Sequence, residues 1–145
     1  MTIQSEILQP VVALLAWTMV MWAWMYATRI PAMSSAGIKP DDARRTKSLD
    51  DALPKEVQWK AHNYNHLHEQ PTVFYAVALV LAVIGQGDGF NAFLAWLYVG
   101  LRVIHSLVQV TANKVMVRFV LFALSSLVLI ALILHAAIVV WDIHL

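Results

Sequence analysis

Long apolar stretches, each about the length of a bilayer crossing, alternate with short polar interruptions along this chain. A spanning helix needs about 20 mostly apolar residues. Four stretches meet that length: residues 7–30, closed by Pro31; 62–85, with a polar, histidine-rich start; 90–113; and 115–141, with Arg118 a turn inside its start. Gly85-Gln86-Gly87-Asp88-Gly89 separates the second from the third and is rich in turn residues. Asn113-Lys114 separates the third from the fourth. Short connections make neighbouring helices antiparallel, so the pattern predicts one all-α domain over 1–145, an up-down-up-down bundle of four transmembrane helices. The one long connection is 31–60.

Composition supports a membrane setting. The chain is 60% hydrophobic and 13% charged, whereas soluble domains run at about 45–50% apolar and about 25% charged. Charge concentrates between Lys39 and Lys60. A net charge of +1 gives no reason to expect a nucleic-acid partner. Cysteine is absent, which excludes disulfides, a thiolate nucleophile and thiolate metal sites, so any thiol must arrive with a ligand. No Lys or Arg precedes Arg29, so the first stretch lacks the basic start of a cleaved signal and reads as a retained helix. Lys and Arg cluster in the 31–60 loop and recur at Lys114, which predicts that these segments face the cytoplasm and both termini face outward. Trp17, Trp22, Trp24, Trp96 and Trp141 lie within the spans as interfacial anchors or lipid-facing surface.

Ionisable residues inside spans cost about 2.5–3.5 kcal/mol each on insertion scales, and they usually face the bundle interior and pair. In the second span His62, Asn65, His66 and Glu69 follow the spacing of one helix face. In the third span Arg102, His105, Gln109 and Asn113 do the same. Counting from Gly87, Glu69 lies 18 residues back, and Arg102 and His105 lie 15 and 18 residues forward. At 1.5 Å per residue all three sit roughly 23–27 Å from the hairpin. A Glu69–Arg102 ion pair is therefore expected, as a structural lock or as part of a site. Gln109, Asn113 and Arg118 extend the polar surface toward the cytoplasm. No acidic residue neighbours Arg118 in sequence, so it awaits phospholipid phosphate or an anionic ligand. His62 and His66 have the spacing of a helical metal pair but lack a second ligand group, and no metal is expected. No phosphate loop, dinucleotide fingerprint or nucleophile motif is present.

These residues resemble those of the MAPEG family, the membrane-associated proteins of eicosanoid and glutathione metabolism. The run His62-Asn63-Tyr64-Asn65-His66-Leu67-His68-Glu69-Gln70-Pro71 looks like the family's second-helix signature. Arg102-Val103-Ile104-His105 looks like the third-helix Arg-Val-x-His of its prostaglandin E synthase branch, and Arg118 falls where that branch keeps its catalytic arginine. The chain is similar to bacterial members. The resemblance implies a homotrimer with glutathione bound between helices one and two of one subunit and helices three and four of the next. It also implies Arg118 as stabiliser of the thiolate, with Arg29, His62, Asn65, His66, Glu69, Arg102, His105, Gln109 and Asn113 as ligand-binding residues. The pattern departs from the family at several positions. His62 and Asn65 stand where family arginines do, His66 where its Asn does, Gln109 for a Tyr and Phe119 for a Ser. Each change removes a glutathione contact, and Arg29 supplies one replacement cation.

The function implied is a membrane glutathione transferase or peroxidase of the bacterial inner membrane, acting on lipophilic substrates with glutathione or a related thiol. The alternatives are a non-catalytic trimer binding lipid or a metabolite and, behind it, a transport or proton-relay protein using the His-rich face.

Overall fold

A computed structural model of the chain describes residues 4–144. Six helices follow in order: α1, Leu8–Ser35; α2, Leu49–Ala52; α3, Lys55–His66; α4, Gln70–Val83; α5, Phe90–Val110; and α6, Val115–Val140. Two 3₁₀ turns, Pro40–Ala43 and Thr46–Ser48, lie between α1 and α2. Three helices, α1, α5 and α6, are long and apolar enough to cross a membrane.

The second expected span is not one helix. It divides into α3 and α4 across Leu67–Glu69. Pro71 is the cause: it has no N–H, and its ring would collide with the Leu67 carbonyl one turn back. The chain closes α3 with tight bonds from Leu67 N–H to Asn63 O at 3.0 Å and from Glu69 N–H to His66 O at 3.2 Å. It then reopens at Thr72, whose N–H and hydroxyl both donate to the Glu69 carbonyl.

The first span is longer than its sequence suggests, because α1 continues past Pro31 to Ser35. It stops at Gly37, where φ is +68°. There Ile38 N–H reaches Met33 O and Gly37 N–H reaches Ser34 O, capping the last carbonyls. The third span is shorter, since α5 ends at Val110 and leaves Asn113 in the turn at φ +47°.

The interior is apolar. Leu14 and Met21 of α1, Phe74, Ala78 and Leu81 of α4, Ala95 and Tyr98 of α5 and Leu132 of α6 are fully buried. The Phe74 and Tyr98 rings stack at 4.5 Å. Half of the α5 apolar window is buried, against 22% for α1 and 17% for α6. So α5 is the central helix, and α1 and α6 leave most of their apolar surface outside the bundle. At the hairpin end the N-terminal segment is clasped. Ile7 N–H donates to Gly87 O at 2.9 Å, Glu6 N–H to the Asp88 carboxylate at 2.7 Å, and Gly89 N–H back to the Glu6 carboxylate at 3.0 Å. The close approach requires Gly87, where a Cβ would meet the Ser5 hydroxyl and the Ile7 methyl.

Candidate functional site

The sequence-predicted residues fall into two groups rather than one. The first lies where α3, α5 and α6 meet. Arg102 and His105 of α5 are 1% and 3% exposed. Ser106 and Gln109 on the same helix are buried with them, as spacing of three and four residues requires. From α3, the His66 ring stacks on His105 at 4.8 Å. From α6, the Phe122 ring lies 5.9 Å from His66 and 5.8 Å from the Arg102 guanidinium.

The Glu69–Arg102 ion pair expected from depth does not form. The Glu69 carboxylate lies 2.9 Å from Nδ1 of His66, and its side chain is 67% exposed. The physical reason is the helix break, which turns Glu69 out of the face that continuous helix would have given it. All three guanidinium nitrogens of Arg102 are buried without a hydrogen-bond partner among the described residues. So are the Ser106 hydroxyl and the Gln109 amide oxygen. A buried cation without a carboxylate carries a large desolvation cost, which an anion at that point would offset.

Arg118 enters the same region at the start of α6. Its Nη1 donates to the Asn113 amide oxygen at 2.6 Å. Asn113 takes the left-handed conformation that Asn tolerates, and its N–H caps the Val108 carbonyl at 2.7 Å. Asn113 is thus off the α5 face and acts as a holder for Arg118. Being neutral, it leaves the arginine's charge uncompensated. A polar thread runs on into the bundle, with Tyr98 donating to Gln70 at 3.3 Å and Gln70 to Ser126 at 2.7 Å.

The second group lines a cleft of about 400 Å³ between α1, α3 and the loop. Arg29, His62 and Asn65 stand in its wall with Tyr26, Tyr64, Lys47 and Asp50, and no residue of α5 or α6 reaches it. Arg29 donates a long 3.5 Å bond to Gln58, which donates in turn to Asp50 at 2.7 Å. Nε2 of His62 lies 2.9 Å from the same Asp50 oxygen. His62 foremost, then Gln58, holds the Asp50 carboxyl below its ordinary range.

Periodicity did not single out Asn63, Ser106, Phe122, Gln58, Lys47 or Asp50. Asn63 is fully buried with both amide atoms unpartnered among the described residues, while Asn65, which shares the predicted face, is exposed.

With three helices long and apolar enough to cross a membrane, and a buried arginine where α3, α5 and α6 meet, the chain is an integral membrane protein. The family model for the MAPEG family matches residues 7–138, nearly its whole length, and the chain belongs to that family. Membership places it among the membrane-associated proteins of eicosanoid and glutathione metabolism in general. Comparison with curated proteins gave no match. Comparison with solved structures gave none either.

Proposed function

We propose that the chain activates a thiol, glutathione or a related one, and transfers it to a lipophilic acceptor drawn from the bilayer. The observation that carries this reading is the pair of arginines without acids. Among the described residues Arg102 is buried with no hydrogen-bond partner, and Arg118 is held by a neutral amide. Two uncompensated cations at the edge of an apolar bundle favour an anion, and a cation beside a thiol favours its thiolate, the nucleophilic form. In the transfer the thiolate sulfur forms a bond to an electrophilic carbon. The electron pair displaced leaves with the departing group or collects on the acceptor, which then takes a proton. Arg118 stabilises the thiolate. Arg102, His105 and Gln109 form the polar wall, and His66 stacks on His105.

The same reading takes the chain as a homotrimer in the bacterial inner membrane with the 31–60 loop on the cytoplasmic side. Arg29, His62 and Asn65 line a different cleft from the arginine cluster, and a shared site between neighbouring copies would bring two such halves together.

The test is conjugation of a chloronitrobenzene by purified protein with glutathione, Arg118→Ala alongside. Conjugation lost in the variant supports thiol activation. An unchanged rate removes Arg118 from catalysis. No conjugation, with lipid co-purifying, favours the non-catalytic binding reading.

A further inference from the structure

At 1.5 Å per residue the 28 residues of α1 span about 42 Å, close to the thickness of a bilayer with its headgroups, about 40–45 Å. The start of α1 is clasped to the glycine hairpin, so its last turns reach the opposite headgroup layer. There the chain reverses. Gly37 takes φ +68°, and Ile38 N–H donates back to Met33 O at 3.0 Å, which lays Ile38, Lys39 and Pro40 beside the last turns of α1. The result is a groove of about 590 Å³. Its apolar lining is Ile30, Met33, Ile38 and Pro40, and Ile30 is 61% exposed. Ser34 and Lys39 supply the polar lining. Arg44 and Arg45 follow Lys39 closely in the chain, and both are exposed. Among the described residues none of these three cations has a carboxylate within ion-pair distance. The neighbouring Asp42 carboxylate is turned to the backbone, where it accepts the Lys39 N–H at 3.3 Å.

We propose that this groove binds an anionic phospholipid, with Lys39, Arg44 and Arg45 on its phosphate and Ile30 and Met33 against the start of an acyl chain. The inference is independent of thiol activation. The mixed lining selects the ligand class. Free phosphate would meet the cations and leave the apolar lining uncovered, and an uncharged lipid would do the reverse. An amphiphile with its charge at one end satisfies both. Depth agrees, because the groove lies where α1 leaves the bilayer, and a basic cluster directly after a span is a lipid-binding pattern. Sign selects the headgroup. A zwitterionic headgroup would bring its own ammonium among three cations, a like-charge contact. Phosphatidylglycerol brings the phosphate alone, and the arginines can meet it with paired N–H donors. Each such cation near an anionic lipid surface strengthens binding by about fivefold. A lipid seated there also fixes the first part of the chain between α1 and α2, whose own turns bury no residue before Leu49.

The test titrates phosphatidylglycerol, and separately phosphatidylcholine of the same chains, into delipidated full-length protein in detergent, with bound lipid counted by native mass spectrometry. Phosphatidylglycerol should bind saturably and at least about tenfold more tightly than phosphatidylcholine. Lys39→Gln should weaken phosphatidylglycerol by about fivefold, and Arg44→Gln with Arg45→Gln by roughly twentyfold. Lys55→Gln removes the same charge from an exposed position outside the groove and should leave the affinity unchanged. Circular dichroism confirms that the variants fold. Four results would each overturn the proposal: no phosphatidylglycerol binding, equal binding of the two lipids, Lys55→Gln weakening it as much as Lys39→Gln, or inorganic phosphate displacing it at equal concentration.

Discussion

The Glu69 carboxylate lies 2.9 Å from His66 Nδ1, in the turn just before it, and not on the Arg102 guanidinium. That pairing decides how both residues respond to substitution. An exposed His–carboxylate pair contributes about 0–1 kcal/mol. Breaking a buried ion pair costs about 3–5 kcal/mol. Glu69→Gln should therefore shift the unfolding midpoint in detergent only slightly. A large loss would mean that Glu69 and Arg102 are paired in the membrane after all.

Arg102 gives the complementary prediction. Its guanidinium is buried without a hydrogen-bond partner among the described residues, so Arg102→Met, which keeps the length and drops the charge, should leave the ligand-free protein as stable as wild type or more so. The same variant should lose the stabilisation that millimolar glutathione gives the wild type, because a ligand that binds only the folded form raises its midpoint. Thermal unfolding with and without glutathione reads both effects. A destabilised ligand-free variant that still responds to glutathione would contradict the assignment.

Two glycines should respond with opposite signs. A Cβ on Gly87 meets Ser5 and Ile7 at the N-terminal clasp, so Gly87→Ala should cost about 1–3 kcal/mol, as overpacking does. A Cβ on Gly100, in the middle of α5, meets nothing within 4 Å. Gly100→Ala should gain up to about 1 kcal/mol from helix propensity. Unfolding midpoints of the two variants measured side by side settle it. A loss at Gly100 would reveal a close neighbour on that face of α5.

What the sequence made legible follows from what periodicity encodes. The apolar runs of α1, α5 and α6 announce spans by length alone. The second run has the length of a span, but Pro71 lies within it and its missing N–H divides the helix. Spacing of three and four correctly grouped Arg102, His105 and Gln109 on one buried face. On the expected second span the same arithmetic groups His62, Asn65, His66 and Glu69. Periodicity says which residues share a face but not which way the face points, and packing buried Asn63 instead. Lys47 and Asp50 give no signal, since they lie in the short turns joining α1 to α3, too brief for any apolar period to register.

Asp50 ties that loop to α3 and makes acid stability a readout of the contact. Its carboxyl is held below the ordinary value by His62, then by Gln58. A depressed folded-state value means that the contribution is present above the ordinary aspartate range, about pH 4, and is lost as pH falls through the depressed value. Asp50→Asn should remove that part of the acid-end loss and leave the profile above pH 5 nearly parallel to wild type. Midpoints measured across pH 2.5–6 in detergent test this, and an unchanged acid limb in the variant would show that the contact contributes nothing.

Arg118 carries the prediction that bears on chemistry. If the guanidinium stabilises a thiolate, its removal has two separable consequences. The anion loses a donor, which for comparable oxyanion contacts costs about 10²–10³ in kcat. The bound thiol also loses a neighbouring cation, so its pKa rises and the pH–rate profile moves to higher pH. Arg118→Ala should show both, while KM for the lipophilic acceptor changes little, because that substrate approaches from the bilayer. Arg118→Lys retains the charge but not the planar fork that reaches Asn113 at 2.6 Å, and it should recover the pH profile more fully than the rate. Asn113→Ala gives the control. It releases Arg118 without removing its charge, so it should lower kcat modestly with the profile in place. A profile that stays fixed in Arg118→Ala while kcat falls would assign the residue to positioning the acceptor rather than to forming the thiolate.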